Sequence, residues 1–291
     1  MTYEKFKEEV KIKFNSLLPE EMRGEIVIQK VHKTNMVLDG LTVKSEGISP
    51  QIYLQQYFQK MEVEKLSVED ILDEMAAVYI EGVKTVPFTS VKEVTKAITL
   101  DNIVGKLINA DKNAELLESC PHRIIAGDIA LVYTVRYSEQ ARTPVTNSLM
   151  KEQLKCSEED LYSQAVKYSS SVLVESLFSL IKRMMPSDEI PEFENFDEDL
   201  CPGFKVLRTE PVNGAVALLN TAVLENIRKS SEAGIIKILP SSIHEILVVT
   251  EDFPVEMLKD MVSEVNATEV SEQDFLSDNV LIWDGEKLTV A

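Results

Sequence analysis

The sequence predicts an α+β protein with mixed or antiparallel sheets, built from repeated strand–strand–helix units whose helices pack on one face. Three observations carry this prediction. Stretches with helical spacing of apolar residues alternate with short β-rich apolar runs. Short connections containing Asn, Gly or Ser separate neighbouring runs, which is typical of antiparallel hairpins. The order strand, strand, helix recurs over residues 25–60, 124–156, 204–229 and from 235 onward.

The first half of the chain is predicted to be mainly helical around one hairpin. Helix starts are recognised by a serine before the helical pattern, which caps free backbone N–H groups. The predicted elements are an amphipathic helix ended by Pro19 and Gly24, a hairpin over 25–31 and 36–43, helices from Ser49 and Ser67, and helical pattern over roughly 90–118.

The second half is predicted to alternate between strands and helices. The predicted elements are a central strand over 124–135, a strand near 142–147, helices from 148 and from Ser157 that resume to about Met184, strands over 204–209 and 215–219 with a helix at 221–229, strands over 235–239 and 244–249 with a helix from Pro254, and a hairpin over 280–290.

An acidic segment provides the predicted internal boundary. Residues 186–203 contain few aliphatic side chains and several prolines, which favours an exposed loop. We therefore expect an N-terminal α+β region over 1–185 and a C-terminal α+β region over 204–291.

Negative charge is concentrated in two places, which together hold most of the net charge of −19. Residues 251–291 carry eleven acids against Lys259 and Lys287. The other segment has no base, and its seven acids are Asp188, Glu189, Glu192, Glu194, Asp197, Glu198 and Asp199. Such fields repel phosphate backbones, so direct nucleic-acid binding is not expected. They favour a basic protein partner or mimicry of nucleic acid; the other interpretation is a surface that maintains solubility.

Familiar cofactor and metal motifs do not occur in the sequence. The ten glycines are scattered, and the three cysteines and three histidines are far apart. We expect no cofactor, no metal, no membrane segment and reduced thiols. The charged start of the sequence lacks a signal-peptide pattern, so a cytoplasmic location is expected.

One short stretch combines side chains that hydrolases use. Ser242 and His244 would lie on the same face of a strand, and an acid such as Asp278 could orient the imidazole. The alternative is a serine turn with a structural histidine. His122 and Arg123, before the predicted central strand, form a weaker candidate for binding an anion or nucleotide; their alternative role is bonding to backbone carbonyls and to an acid such as Asp128.

Several segments resemble one uncharacterised bacterial family, catalogued as a domain of unknown function (family 5688) and found mainly in anaerobic gut bacteria. The resemblance covers nearly the whole chain. It is carried by residues 107–113, 121–123, 128–133, 214–219, 238–245, 261–266 and 276–278. The stretch Leu-Pro-Ser-Ser-Ile-His-Glu at 239–245 is its most specific part. The resemblance implies a bacterial cytoplasmic protein and assigns no catalytic residues.

The sequence therefore leaves three hypotheses. The leading one is a non-enzymatic interaction protein, of a kind that a mobile element could carry, which binds a basic partner. The second is a serine-type hydrolase at Ser242 and His244, and the third is a small anion- or nucleotide-binding module. The oligomeric state is not predicted.

Overall fold

The structure is a computed structural model that describes residues 1–44, 49–85, 91–137, 141–184 and 203–291. Its contacts divide the chain into two units, Met1–Ala97 and Ile98–Ala291. Each unit is described by itself.

The first unit consists of a small antiparallel sheet and surrounding helices. Its elements are α1 (Tyr3–Lys13), 3-10 turns at Phe14–Leu17 and Glu20–Met22, β1 (Glu25–Lys33), β2 (Met36–Lys44), β3 (Ile52–Tyr53), α2 (Leu54–Glu64), α3 (Val68–Thr85) and α4 (Val91–Ala97). The sheet has the order β1-β2-β3. Asn35 makes the β1–β2 turn with φ 62°, a left-handed conformation that Asn tolerates better than most residues.

Apolar residues at helical spacing explain why α1 and α3 pack where they do. Phe6, Val10 and Phe14 are fully buried in one cluster with Leu41 and Val43 of β2. The cluster also takes up the buried face of α3. The first unit therefore has a hydrophobic core of its own.

A buried carboxylate lies beside this core. Asp39 of β2, whose side chain is 4% exposed, accepts a hydrogen bond from Tyr3 Oη at 2.9 Å. Lys30 Nζ lies 3.0 Å and Lys7 Nζ 3.5 Å from its oxygens. Burial opposes ionisation of this carboxyl, but the bonds from Lys30 and Tyr3 and the charge of Lys7 outweigh it and lower the pKa of Asp39.

The second unit contains more strand. Its elements are a 3-10 turn at Leu100–Asn102, β4 (Ile103–Asn109), α5 (Ala114–Ser119), β5 (His122–Ala126), β6 (Ile129–Arg136), β7 (Arg142–Pro144), a π-helical turn at Leu149–Leu154, α6 (Glu158–Tyr168), β8 (Leu173–Ser176), α7 (Leu177–Met184), β9 (Phe204–Arg208), a 3-10 helix at Gly214–Leu219, α8 (Thr221–Arg228), β10 (Ile236–Leu239), β11 (Ile246–Val249), α9 (Val255–Thr268), β12 (Leu281–Trp283) and β13 (Leu288–Val290).

Two antiparallel sheets share the main core of this unit. The six-stranded sheet has the order β13-β12-β10-β11-β9-β8, and the other has the order β4-β6-β5 with β7 paired to β6. One cluster of buried side chains includes residues of both sheets, of α6 and of the 3-10 helix at Gly214–Leu219. A Cβ at Gly105 of β4 would lie 2.9 Å from Leu131, 3.0 Å from Val216 and 3.1 Å from Ala165. The absent side chain thus allows strand, helix and 3-10 segment to meet.

The unit boundary differs from the predicted one. We expected residues 186–203 to separate two regions, but β8 on one side of this segment pairs with β9 on the other. Sheet pairing across the segment keeps both sides in one unit, and the division falls at residue 97 instead.

The α+β class and the antiparallel sheets are confirmed, whereas the repeated unit is not. Residues 215–219, predicted as a strand, form part of a buried 3-10 helix. The predicted strand at 124–135 is a hairpin that turns at Gly127, with φ 53°. The predicted helical stretch at 90–118 contains β4. The prediction missed this strand because a strand that is buried on both faces has no alternating pattern.

Candidate functional site

The predicted serine–histidine stretch forms the turn between β10 and β11. Ser242 is buried and forms an isolated bridge with Phe275. The backbone N–H of Leu276 donates to Ser241 O at 2.9 Å, and that of Ile243 donates to Asp274 O at 2.8 Å. The turn is therefore tied by main-chain bonds to the segment that follows α9.

Both nitrogens of His244 are engaged with groups other than Ser242. Nδ1 accepts a hydrogen bond from the backbone N–H of Asn213 at 3.2 Å. Nε2 lies 3.0 Å from Asp274 Oδ1, and Asp274 Oδ2 accepts from Ser271 Oγ at 2.7 Å. An unprotonated Nδ1 leaves the ring proton on Nε2, where it is donated to Asp274. His244 thus joins three separate loops.

The three residues predicted as a hydrolase site are not brought together as that chemistry needs. Ser242 Oγ accepts from the backbone N–H of His244 at 3.0 Å, rather than facing the imidazole. Asp278 accepts from Asn266 Nδ2 at 2.7 Å, and the acid at the imidazole is Asp274. A general base needs a free ring nitrogen directed at the nucleophile. This geometry favours the alternative, a structural histidine in a serine turn.

Arg123 lies in a cluster of charged and aromatic side chains on β5 and α6. Its Nη2 is 2.6 Å from Glu158 and 2.7 Å from Glu159, and these bonds raise the pKa of the guanidinium. The guanidinium also lies 3.8 Å above the ring of Tyr162. His122 Nδ1 is 3.0 Å from the carbonyl of Cys120. The sequence suggested Asp128 as the acid that pairs with Arg123, but the two paired acids belong to α6.

Asp128 is the centre of a different network. Its Oδ2 accepts from Asn109 Nδ2 at 2.8 Å, and its Oδ1 accepts from Ser277 Oγ at 2.6 Å and Asn279 Nδ2 at 2.8 Å. Asn109 Nδ2 also donates to the carbonyl of Leu276 at 2.9 Å. Sequence segments that carry the family resemblance, at 107–113, 128–133 and 276–278, therefore meet at one carboxylate.

In the described part of the acidic sequence, three exposed acids lie along α9. Glu256, Asp260 and Glu264 are exposed and follow one another at intervals of four residues. The seven acids predicted as a binding surface, between Asp188 and Asp199, lie outside the described residues. Glu256, Asp260 and Glu264 together form the α9 acidic face.

Sequence reasoning missed a cavity at the ends of β6 and α6. It has a volume of about 250 Å³, and its lining residues are Asp101, Asn102, Val104, Arg136, Tyr137 and Tyr168. Arg136 Nη1 donates to Tyr168 Oη at 2.8 Å, and Tyr168 Oη donates to Glu210 at 2.9 Å. Burial and this bond to Glu210 raise the pKa of Tyr168. No motif marks these residues, because they come from three short segments, and each segment lies more than thirty positions from the next.

The described residues contain neither a metal-binding group nor a membrane-spanning helix. Among those that the structure describes, no three His, Cys, Asp or Glu side chains form a group able to hold a metal ion. Within the same part of the chain, every helix is too short or too polar to cross a membrane.

The fold and these contacts define an α+β protein with three antiparallel sheets, in which polar side chains join distant loops. The chain belongs to the Family of unknown function (DUF5688), whose family model matches residues 3–285. This confirms the family resemblance found in the sequence. No curated protein and no solved structure matched the chain.

Proposed function

We propose that the protein is a non-enzymatic, cytoplasmic interaction protein that binds a basic protein partner through the α9 acidic face. The observation that carries this proposal is the excess of negative charge on that face. Lys259 Nζ lies 3.3 Å from Glu256, but Asp260 and Glu264 form no ion pair among the described residues.

The spacing of the α9 acidic face works against helix stability. Like charges four residues apart on a helix repel and cost about 0.2–0.5 kcal/mol per pair. A bound cationic surface would relieve this repulsion, and this relief would make binding more favourable. Two exposed apolar side chains, Met257 at 51% and Val265 at 38%, lie on the same helix and provide contact area for a partner. A basic segment with a few apolar residues fits this composition.

The hydrolase hypothesis receives less support from the geometry, because both nitrogens of His244 are already bonded. The proposal for Arg123 as an anion site likewise competes with two carboxylates that neutralise it. Neither competes with α9 for the role of partner-binding surface.

The test is affinity capture with a matched charge control. The α9 variant carries Glu256→Gln, Asp260→Asn and Glu264→Gln. We expect it to lose a basic partner that wild-type protein recovers, and to fold at least as stably because the repulsion is gone. Binding by wild type should weaken as salt rises, since the Debye length is only about 10 Å at 0.1 M.

The control variant removes the same charge from the first unit, with Glu8→Gln, Glu64→Gln and Asp73→Asn, all at exposed positions. It should keep the partner. Equal loss in both variants would mean that only net charge matters, and equal retention would mean that α9 is not the surface. Either result contradicts the proposal, as does a failure of wild type to recover any basic protein.

A further inference from the structure

Arg136, which lines this cavity, has a second arginine beside it on the same side of the sheet. Arg136 of β6 is directly opposite Arg142 of β7 in the antiparallel ladder, and residues paired in this way point to the same face. Like charges at such positions repel each other. Their arrangement is maintained by Glu210, which accepts from Arg142 Nη2 at 2.7 Å and from Tyr168 Oη at 2.9 Å.

The single carboxylate leaves hydrogen-bond donors unsatisfied. In Arg142, whose side chain is 10% exposed, Nε and Nη1 are buried and have no hydrogen-bond partner among the described residues. The hydroxyl of Thr209, next to Glu210, is also buried without a partner. An unpaired buried polar group costs about 1–3 kcal/mol. Neither Arg142 nor Thr209 lines the cavity, so contacts to a ligand there come from Arg136.

Arg136 is held ready for a ligand by its neighbour. The bond from Nη1 to Tyr168 Oη fixes the guanidinium at the cavity wall. A fixed guanidinium matches the planar geometry of a carboxylate and binds it through two parallel bonds.

Asp101 gives the cavity a second, opposite charge. It is exposed and lines the same cavity, at the turn before β4. Its charge disfavours a phosphate, which carries more than one negative charge, and favours a ligand that also bears a cation. Val104, Tyr137 and Tyr168 complete the lining, which is mainly polar.

We infer that this cavity is a binding site for a free amino acid, with the carboxylate on Arg136, the ammonium group near Asp101 and the side chain between the tyrosines. The volume of about 250 Å³ limits the ligand to a small molecule. The cavity and the α9 acidic face share no residues, so a failed test of one proposal does not affect the other.

The experiment is ligand-observed NMR on the full chain, with each of the common amino acids and with inorganic phosphate as probes. We expect saturable binding of at least one amino acid and weaker or no binding of phosphate. The identified amino acid is then compared with the same molecule lacking its amino group.

Three variants locate the site. Arg136→Gln should weaken amino-acid binding at least tenfold, because a charge-assisted pair is lost. Asp101→Asn, at an exposed position, should weaken binding of the amino acid but leave the deaminated analogue unchanged. Lys167→Gln removes a nearby exposed charge that does not line the cavity, and it should bind like wild type.

Each other outcome overturns the inference. These outcomes are binding of phosphate alone, no saturation by any amino acid below roughly 10 mM, or binding that Arg136→Gln and Asp101→Asn both leave intact. If Arg136→Gln fails to fold, Asp101→Asn with the paired ligands decides the question.

Discussion

Replacing Glu210 by Gln removes the carboxylate that forms an ion pair with Arg142. Glu210 is 14% exposed and accepts bonds from Arg142 at 2.7 Å and from Tyr168 at 2.9 Å. Gln keeps the size and one acceptor oxygen but loses the charge. Breaking a buried ion pair on one side costs about 3–5 kcal/mol. Because one acceptor remains, we expect a loss of about 2–3 kcal/mol in the free energy of unfolding.

The assay uses the single tryptophan of the chain. Trp283 is buried on β12, so its fluorescence reports unfolding of the second unit. For a unit of this size, about 2–3 kcal/mol corresponds to a decrease in Tm of roughly 5–10 °C. Urea unfolding followed at the same residue gives the free energy directly.

A second substitution tests whether charge is the cause. In Glu210→Gln combined with Arg142→Met, no buried charge is left without a partner at this point. We expect the double variant to be more stable than Glu210→Gln alone, since apolar replacement of a buried pair is often neutral. If Glu210→Gln costs less than about 1 kcal/mol, or if the double variant is the less stable one, the reasoning on this network is refuted.

Three further predictions concern two polar contacts and one tightly packed glycine. Asp39→Asn should make the stability of the first unit less dependent on pH. The lowered pKa of Asp39 stabilises the folded state at pH values above the ordinary pKa of an aspartate, and this contribution is lost as the pH falls below about 5. Amide exchange in β1 and β2 measures it, and an unchanged acid profile argues against it. Gly105→Ala should destabilise the second unit by about 1–3 kcal/mol through overpacking, measured by Trp283 fluorescence; a wild-type urea midpoint contradicts this. Asp274→Ala should cost about 0.5–1 kcal/mol, because solvent screens this partly exposed contact, and the NMR signals of the freed His244 ring should shift.

The parts of the fold that the sequence predicted correctly are those with local signals. Ser157 and Asp160 form a full capping box at the start of α6, which residue types three positions apart are sufficient to predict. The hairpins at residues 25–44 and 281–290 follow from short turns between apolar runs. In each case the signal and the structure lie within a few residues.

The parts that were missed depend on distant partners. The 3-10 helix at Gly214–Leu219 is apolar throughout, and its burial between elements of both sheets decides its conformation. Its entry is tight, since a Cβ on Gly214 would lie 2.5 Å from the carbonyl oxygen of His244. Ser242 and His244 were predicted on one face of a strand, but they lie in the β10–β11 turn, and the acid at His244 is Asp274 rather than the suggested Asp278. Asp274 and Asp278 lie on the same segment, and only the folded turn distinguishes them.

The contacts of Asp128 also set a time for folding. Its partners Ser277 and Asn279 are 149 and 151 residues further along the chain. At a synthesis rate of about 5–20 residues per second, a ribosome needs roughly 7–30 s to produce them after Asp128. For that period the β5–β6 turn has no bonds from residues 277–279, and β10 and β12 have not been paired. A nascent chain must therefore keep β4 and β6 from aggregating before their sheet is covered, whereas residues 1–97 can bury their own core much earlier.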